Sequence, residues 1–127
     1  MVDKTKILVI DDERLLVKSV AMALRLRGFE VVEALDGLSG IAKAVEEKPD
    51  LILLDVKMPG MDGWQVLKIL REKEETRAIR ILMFTAKEYS NGSNFADLNG
   101  ADGFVAKPFE LQDLTESIQL NLAKDVQ

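Results

Sequence analysis

The segments ILVI at 7–10, LILL at 51–54 and ILMF at 81–84 are runs of four apolar residues, and each stops abruptly at a polar side chain: Asp11, Asp55 and Thr85. Runs this short and this uniformly apolar are strands buried on both faces. Such strands belong to parallel sheets with helices packed above and below. Amphipathic segments separate the runs. Residues 14–27 read as a helix stopped by Gly28, with Phe29 placed to pack back as in a Schellman ending. EVVEA at 30–34 is a second strand, and Asp36 caps a helix whose apolar residues Leu38, Ile41, Ala42 and Val45 recur at helical spacing, with Pro49 just beyond its end. After Asp55 comes a tight loop, KMPGMDG, then a helix with Val66, Ile69 and Leu70 on one face. GFVA at 103–106 is the fifth strand, ending on Lys107-Pro108, and the last helix carries Leu111, Leu114, Ile118 and Leu122.

Five βα units in 127 residues predict one α/β domain spanning 1–127, an open doubly wound parallel sheet with right-handed crossovers. The chain has no Cys and no His. That removes disulfides, thiolate and imidazole metal sites, and histidine acid–base chemistry. The formal net charge of −5 argues against a nucleic-acid footprint. The N-terminus lacks a signal-peptide pattern, and no apolar run approaches the roughly 20 residues of a membrane span. A cytoplasmic location is the simplest expectation.

In an open α/β sheet, ligands bind outside the carboxyl ends of the strands. Here those ends carry Asp11-Asp12, Asp55, Thr85 and Lys107. Each has a plainer reading alone: Asp12 as a helix cap, Thr85 as a turn residue, Lys107 as a solvated cation. A cap accounts for only one of two adjacent aspartates, and no helix starts directly after Asp55. Two like charges about 4 Å apart, at an effective dielectric of about 20, repel by about 4 kcal/mol. Three clustered carboxylates therefore raise one another's pKa or require a cation. An oxygen-only site of this kind suits Mg²⁺. With Mg²⁺ and Lys107 present, three aspartates leave a pocket of zero formal charge that can accept a phosphoryl group. Asp55 is the best-placed nucleophile, giving an aspartyl phosphate, with Thr85 and Lys107 as ligands of phosphoryl oxygens.

The set Asp11-Asp12, Asp55, Thr85 and Lys107-Pro108, with DVKMPGMDG and GADGFVAKPF, resembles the receiver domain of bacterial two-component response regulators over nearly the whole chain. The resemblance implies a flavodoxin-like sheet of strand order 2-1-3-4-5 flanked by five helices. It implies that Asp55 accepts a phosphoryl group from a histidine kinase or phosphotransfer protein. Asp12, Asp55 and the Lys57 backbone carbonyl would ligate Mg²⁺ directly, with Asp11 acting through a bound water. Thr85 and Phe104 would form a switch pair, signalling through the face built by the fourth helix, fifth strand and fifth helix. Lys57 and Lys87 would tune autodephosphorylation, and the Lys107-Pro108 bond would be cis. The output partner is left open, and a phosphorylation-dependent homodimer is within what the resemblance allows. No direct nucleic-acid or membrane contact is implied, and no turnover of a free substrate.

Other readings fit less well. A phosphatase-type enzyme using the same aspartyl phosphate would carry an acid two residues after the nucleophile, where this chain has Lys57. A flavin carrier would need a phosphate-cradling loop where Asp11-Asp12-Glu13 would repel phosphate. A degenerate receiver serving only for dimerisation would not need the complete set. Glu13 is expected in the first helical turn, outside the site, where its charge suits the helix dipole. Trp64 is expected to pack near the Asp55 loop, where its fluorescence would respond to Mg²⁺. One segment departs from the pattern. SNGSN at 90–94 has turn chemistry, and only Phe95 and Leu98 offer a buried face, so the fourth helix is expected to be short or frayed. That segment is either a longer loop without consequence or an output face ordered on phosphorylation.

Overall fold

The computed structural model describes residues 4–86 and 100–123, with Thr85 and Ala86 described by backbone alone. The elements run β1 (Lys6–Ile10), α1 (Arg14–Leu26), β2 (Glu30–Ala34), α2 (Gly37–Glu47), β3 (Leu51–Asp55), α3 (Gly63–Glu72), β4 (Arg80–Ala86), β5 (Gly103–Lys107) and α4 (Leu111–Ala123). The five strands form one parallel sheet of order β2-β1-β3-β4-β5, as the resemblance implied. Four of the five expected helices are present among the described residues. The helix expected between the fourth and fifth strands, with Phe95, Leu98 and Lys87, lies outside them. No helix among the described residues is long and apolar enough to cross a membrane.

The period-2 geometry of strands splits the apolar runs between two cores. Leu8, Ile10, Ile52, Leu54, Ile81 and Met83 face α2 and α3. Ile7, Val9, Leu51, Leu53, Leu82 and Phe84 face α1 and α4. This explains why β1, β3 and β4 show no polar alternation: neither face meets water. α1 closes as expected, with Phe29 N–H donating to Leu24 O (3.1 Å), Gly28 N–H donating to Arg25 O (3.0 Å), and Gly28 at φ +96°.

α2 sits differently from its expected apolar face. Asp36 does cap it, accepting from Ser39 N–H at 2.8 Å, but Leu38 is exposed and the buried residues are Gly37, Gly40, Ile41 and Ala44. Gly40 lets the helix settle closer to β1, and Gly37 closer to α3, than the apolar spacing suggests. A Cβ on Gly40 would lie 2.6 Å from Ile10 Cδ1, and one on Gly37 would lie 2.8 Å from Val66 Cγ2. Close contact along small residues outweighed the larger side chains in setting the rotation of this helix.

At the opposite end of the sheet from the strand termini discussed below, Asp102 ties β4 to the entry of β5. Its carboxylate accepts from Ile81 N–H (2.8 Å), Arg71 Nη2 (2.9 Å) and Arg80 Nη1 (3.3 Å). Arg71 also donates to Gly100 O (2.8 Å) and Ile79 O (2.7 Å), pinning α3 to the same junction. These bonds fix where β5 starts, at the end of the strand away from Lys107.

Candidate acidic site at the strand ends

Asp11 follows β1 and is completely buried. Its N–H donates to Ala34 O at 3.2 Å, and its carboxylate accepts from Glu13 N–H at 2.9 Å, turning the chain into α1. Asp55 is the last residue of β3 and is 4% exposed. Asp12 is exposed at the mouth. Ligand oxygens of Asp11, Asp12 and Asp55 all lie within 4.8 Å of one another. The start of α3 is pressed against the backbone of Asp55. Gly63 N–H donates to Val56 O at 2.8 Å, and a Cβ on Gly63 would fall 2.1 Å from Asp55 O. A capping box holds that helix start in place, with Asp62 accepting from Gln65 N–H (3.0 Å) and Gln65 Oε1 accepting from Asp62 N–H (2.9 Å).

Lys107 ends β5, paired in register with Ala86, and the Lys107-Pro108 bond is cis. Its Nζ donates to Asp11 Oδ2 at 2.7 Å, Glu13 Oε1 at 3.2 Å and Asp55 Oδ1 at 3.3 Å. It also lies 4.9 Å from the ring centroid of Phe84, which packs on Phe109 with centroids 5.8 Å apart. Burial, reinforced by the Asp11 charge and opposed by Lys107, pushes the Asp55 carboxyl up to about 6. Burial raises Asp11 too, against the hydrogen bonds from Lys107 and Glu13 N–H. Burial alone would lower Lys107, but the hydrogen bond to Asp11 and the charges of Asp11 and Asp55 leave it above its ordinary value. One ammonium thus answers several carboxylates and does not fully balance them.

Asp11, Asp12, Asp55 and Lys107 are therefore gathered at one edge of the sheet, as their positions after the strands suggested. The backbone of Thr85 lies at the same edge, in register with Ala106 of β5. Phe104 sits farther back, paired with Met83 and partly buried against the core shared with α2 and α3. Lys57 is exposed in the loop two residues after Asp55, and Trp64 packs on the same core as Phe104. The structure corrects the reading of Glu13. It stands at the N-cap position of α1, not in the first turn, makes no capping bond, and ion-pairs with Lys107. It also excludes Asp12 as the N-cap residue. Phe84 was missed as well: as the last residue of an apolar run it reads only as core, yet its ring lies under the ammonium.

The hard oxygen donors suit a divalent cation of the Mg²⁺ type, and the surplus negative charge calls for one. A doubly wound parallel sheet with these polar side chains at its carboxyl edge places the chain among open α/β proteins whose sites lie outside the strand ends. Within that class the chain belongs to the response regulator receiver domain family, whose sequence profile matches residues 7–119. Members are two-component signalling switches and not turnover enzymes. The chain is 35% identical over 119 residues to the DNA-binding dual master transcriptional regulator RpaA of Synechocystis, covering 94% of this chain and 49% of that protein. It is 39% identical over 108 residues to the probable transcriptional regulatory protein TcrX of Mycobacterium tuberculosis, covering 85% and 45%. It thus spans about half the length of these curated relatives. Among solved structures it resembles the chemotaxis response regulator CheY4 of Vibrio cholerae, with a TM-score of 0.85 and 31% identity over 93% of this chain and 98% of that one.

Proposed function

We propose that residues 1–127 form a single receiver domain in which Asp55 accepts a phosphoryl group from a histidine kinase or phosphotransfer protein. The observation that carries this reading is the position of Asp55: buried at a strand end, 3.3 Å from the Lys107 ammonium, and within a carboxylate cluster that one cation does not neutralise. An Asp55 carboxylate oxygen attacks the donor phosphorus. The new O–P bond forms as the donor P–N bond breaks, and its electron pair leaves on the imidazole nitrogen. Mg²⁺ would be held by Asp12, Asp55 and the Lys57 carbonyl, with Asp11 acting through water. When bound, it supplies positive charge to the phosphoryl oxygens. Lys107 holds a second phosphoryl oxygen and keeps the pocket from accumulating negative charge.

Thr85 and Phe104 form the relay, the hydroxyl turning toward the phosphoryl group and the ring turning inward, so that β5 and the helices beside it present an altered face. Lys57 and Lys87 set the rate of phosphoryl loss. The output goes to a separate partner or effector domain, or to a phosphorylation-dependent homodimer. The net charge of −5 disfavours direct contact with nucleic acid by this domain. The place of action is the cytoplasm, where a kinase can reach it. Incubation with Mg²⁺ and phosphoramidate, followed by intact-mass measurement, tests the reading. It expects one phosphoryl label in the wild type, none with chelator and none in Asp55→Asn. No label, or equal label in the variant, overturns it.

A further inference from the structure

An ammonium has three N–H donors, and those of Lys107 are all engaged, with Asp11 (2.7 Å), Glu13 (3.2 Å) and Asp55 (3.3 Å). A phosphoryl oxygen on Asp55 can be bound by Lys107 only if one of these bonds is given up. The three are not equal in cost. Asp11 is completely buried, and losing its cation would leave a desolvated carboxylate unpaired. Asp55 carries the incoming group itself. The Glu13 side chain is 64% exposed, so water replaces Lys107 at little cost. Glu13 also forgoes a role its position would normally give it. It occupies the N-cap of α1, where Asp or Ser would accept a helix N–H, and instead aims its longer side chain at Lys107.

We propose that Glu13 is a positioning residue, the exchangeable third partner of Lys107, released when a phosphoryl oxygen takes its place. The inference rests on the phosphoacceptor reading above. In the resting protein Glu13 keeps the ammonium in the pocket with its donors filled. On phosphorylation the bond passes from Glu13 Oε1 to the phosphoryl oxygen while the bond to Asp11 stays. Removing the contact therefore lowers the cost of engaging phosphate, and the rate of labelling rises.

Phosphoramidate labelling of Glu13→Ala, Glu13→Asp and Glu13→Gln, followed by intact mass with Mg²⁺ present, tests this. Asp keeps the charge but is one methylene short of Lys107, whereas Gln loses the charge and keeps an oxygen at the right reach. The handover account expects labelling three- to tenfold faster than wild type in both Ala and Asp variants, with Gln near wild type. Faster labelling in Ala and Gln with Asp unchanged would mean that only the negative charge matters, and would overturn it. Equal rates in all four proteins would also overturn it. A wild type that takes no label marks failure of the phosphoacceptor reading instead, so the two failures are distinguishable. Circular dichroism of each variant checks that α1 is intact.

Discussion

Lys107 makes its shortest hydrogen bond to Asp11, at 2.7 Å, and not to Asp55, which lies 3.3 Å away. The buried aspartate thus anchors the ammonium, and the aspartate at the end of β3 is left underneutralised. Under the proposed reading that imbalance is useful, because the longer Asp55–Lys107 pair leaves Asp55 with negative charge to offer a divalent cation.

The imbalance has a stability signature. Asp55 is raised to about 6, above its unfolded value, so the folded state binds the extra proton between those values. By linkage its favourable contribution is fully present below the unfolded pKa and is lost as pH rises through about 6. Asp55→Asn should therefore stabilise the metal-free protein by about 2 kcal/mol at pH 7.5 and by little at pH 4. Urea unfolding at the two pH values checks this, and an equal gain at both would contradict it.

Divalent cations should act with the opposite pH dependence, because binding requires the ionised carboxylates. The rise in melting temperature on adding Mg²⁺ should be larger at pH 7.5 than at pH 5, and lost in Asp55→Asn and Asp12→Asn. Differential scanning fluorimetry with and without chelator measures it. The partly buried Trp64 offers a second readout by fluorescence.

Lys107→Met removes the cation from a nearly closed pocket and leaves Asp11 and Asp55 facing each other. The expected loss is about 3 kcal/mol at neutral pH, shrinking toward pH 4 as both carboxyls take up protons. Denaturant titration across that range tests the trend, and a loss independent of pH would count against it.

Gly63 is where the helix start meets the backbone of Asp55. A Cβ there would sit 2.1 Å from Asp55 O and 2.8 Å from Val56 Cα, and neither atom belongs to a side chain that could rotate away. Gly63→Ala should cost at least ~2 kcal/mol by overpacking, and should slow phosphoramidate labelling on the order of tenfold by misplacing Asp55.

Asp102→Ala separates structural from chemical roles. It leaves Ile81 N–H and two guanidinium groups without their carboxylate, at a cost of about 2–3 kcal/mol. Labelling of the folded variant should stay near wild type, since Asp102 is at the far end of β5 from Lys107.

The parallel sheet was readable because β1, β3 and β4 are buried on both faces, so their composition reports a covered sheet directly, whereas the strand order came through the family resemblance. The acidic cluster was readable for the same reason: Asp11, Asp55 and Lys107 each stand at the end of an apolar run that is unmistakable in the sequence. Two features were hidden. The rotation of α2 depends on how closely Gly37 and Gly40 let it approach Ile10 and Val66, which apolar spacing does not register. The roles of Glu13 and Phe84 depend on where the Lys107 side chain points, a contact across more than 90 residues for Glu13 that no local pattern encodes. Thr85 was read from its place after the fourth strand, Phe104 and the switch pairing only through the family resemblance, and the segment 87–99 between them lies outside the described residues.

The most direct test of the central claim locates the phosphoryl group on the chain. After labelling with phosphoramidate and Mg²⁺, borohydride reduces an aspartyl phosphate to homoserine, and tandem mass spectrometry of the peptides places the change. The account predicts conversion at Asp55 alone, absent when Mg²⁺ is chelated. Conversion at Asp11 or Asp12, or a label that survives borohydride on a hydroxyl side chain, would contradict it.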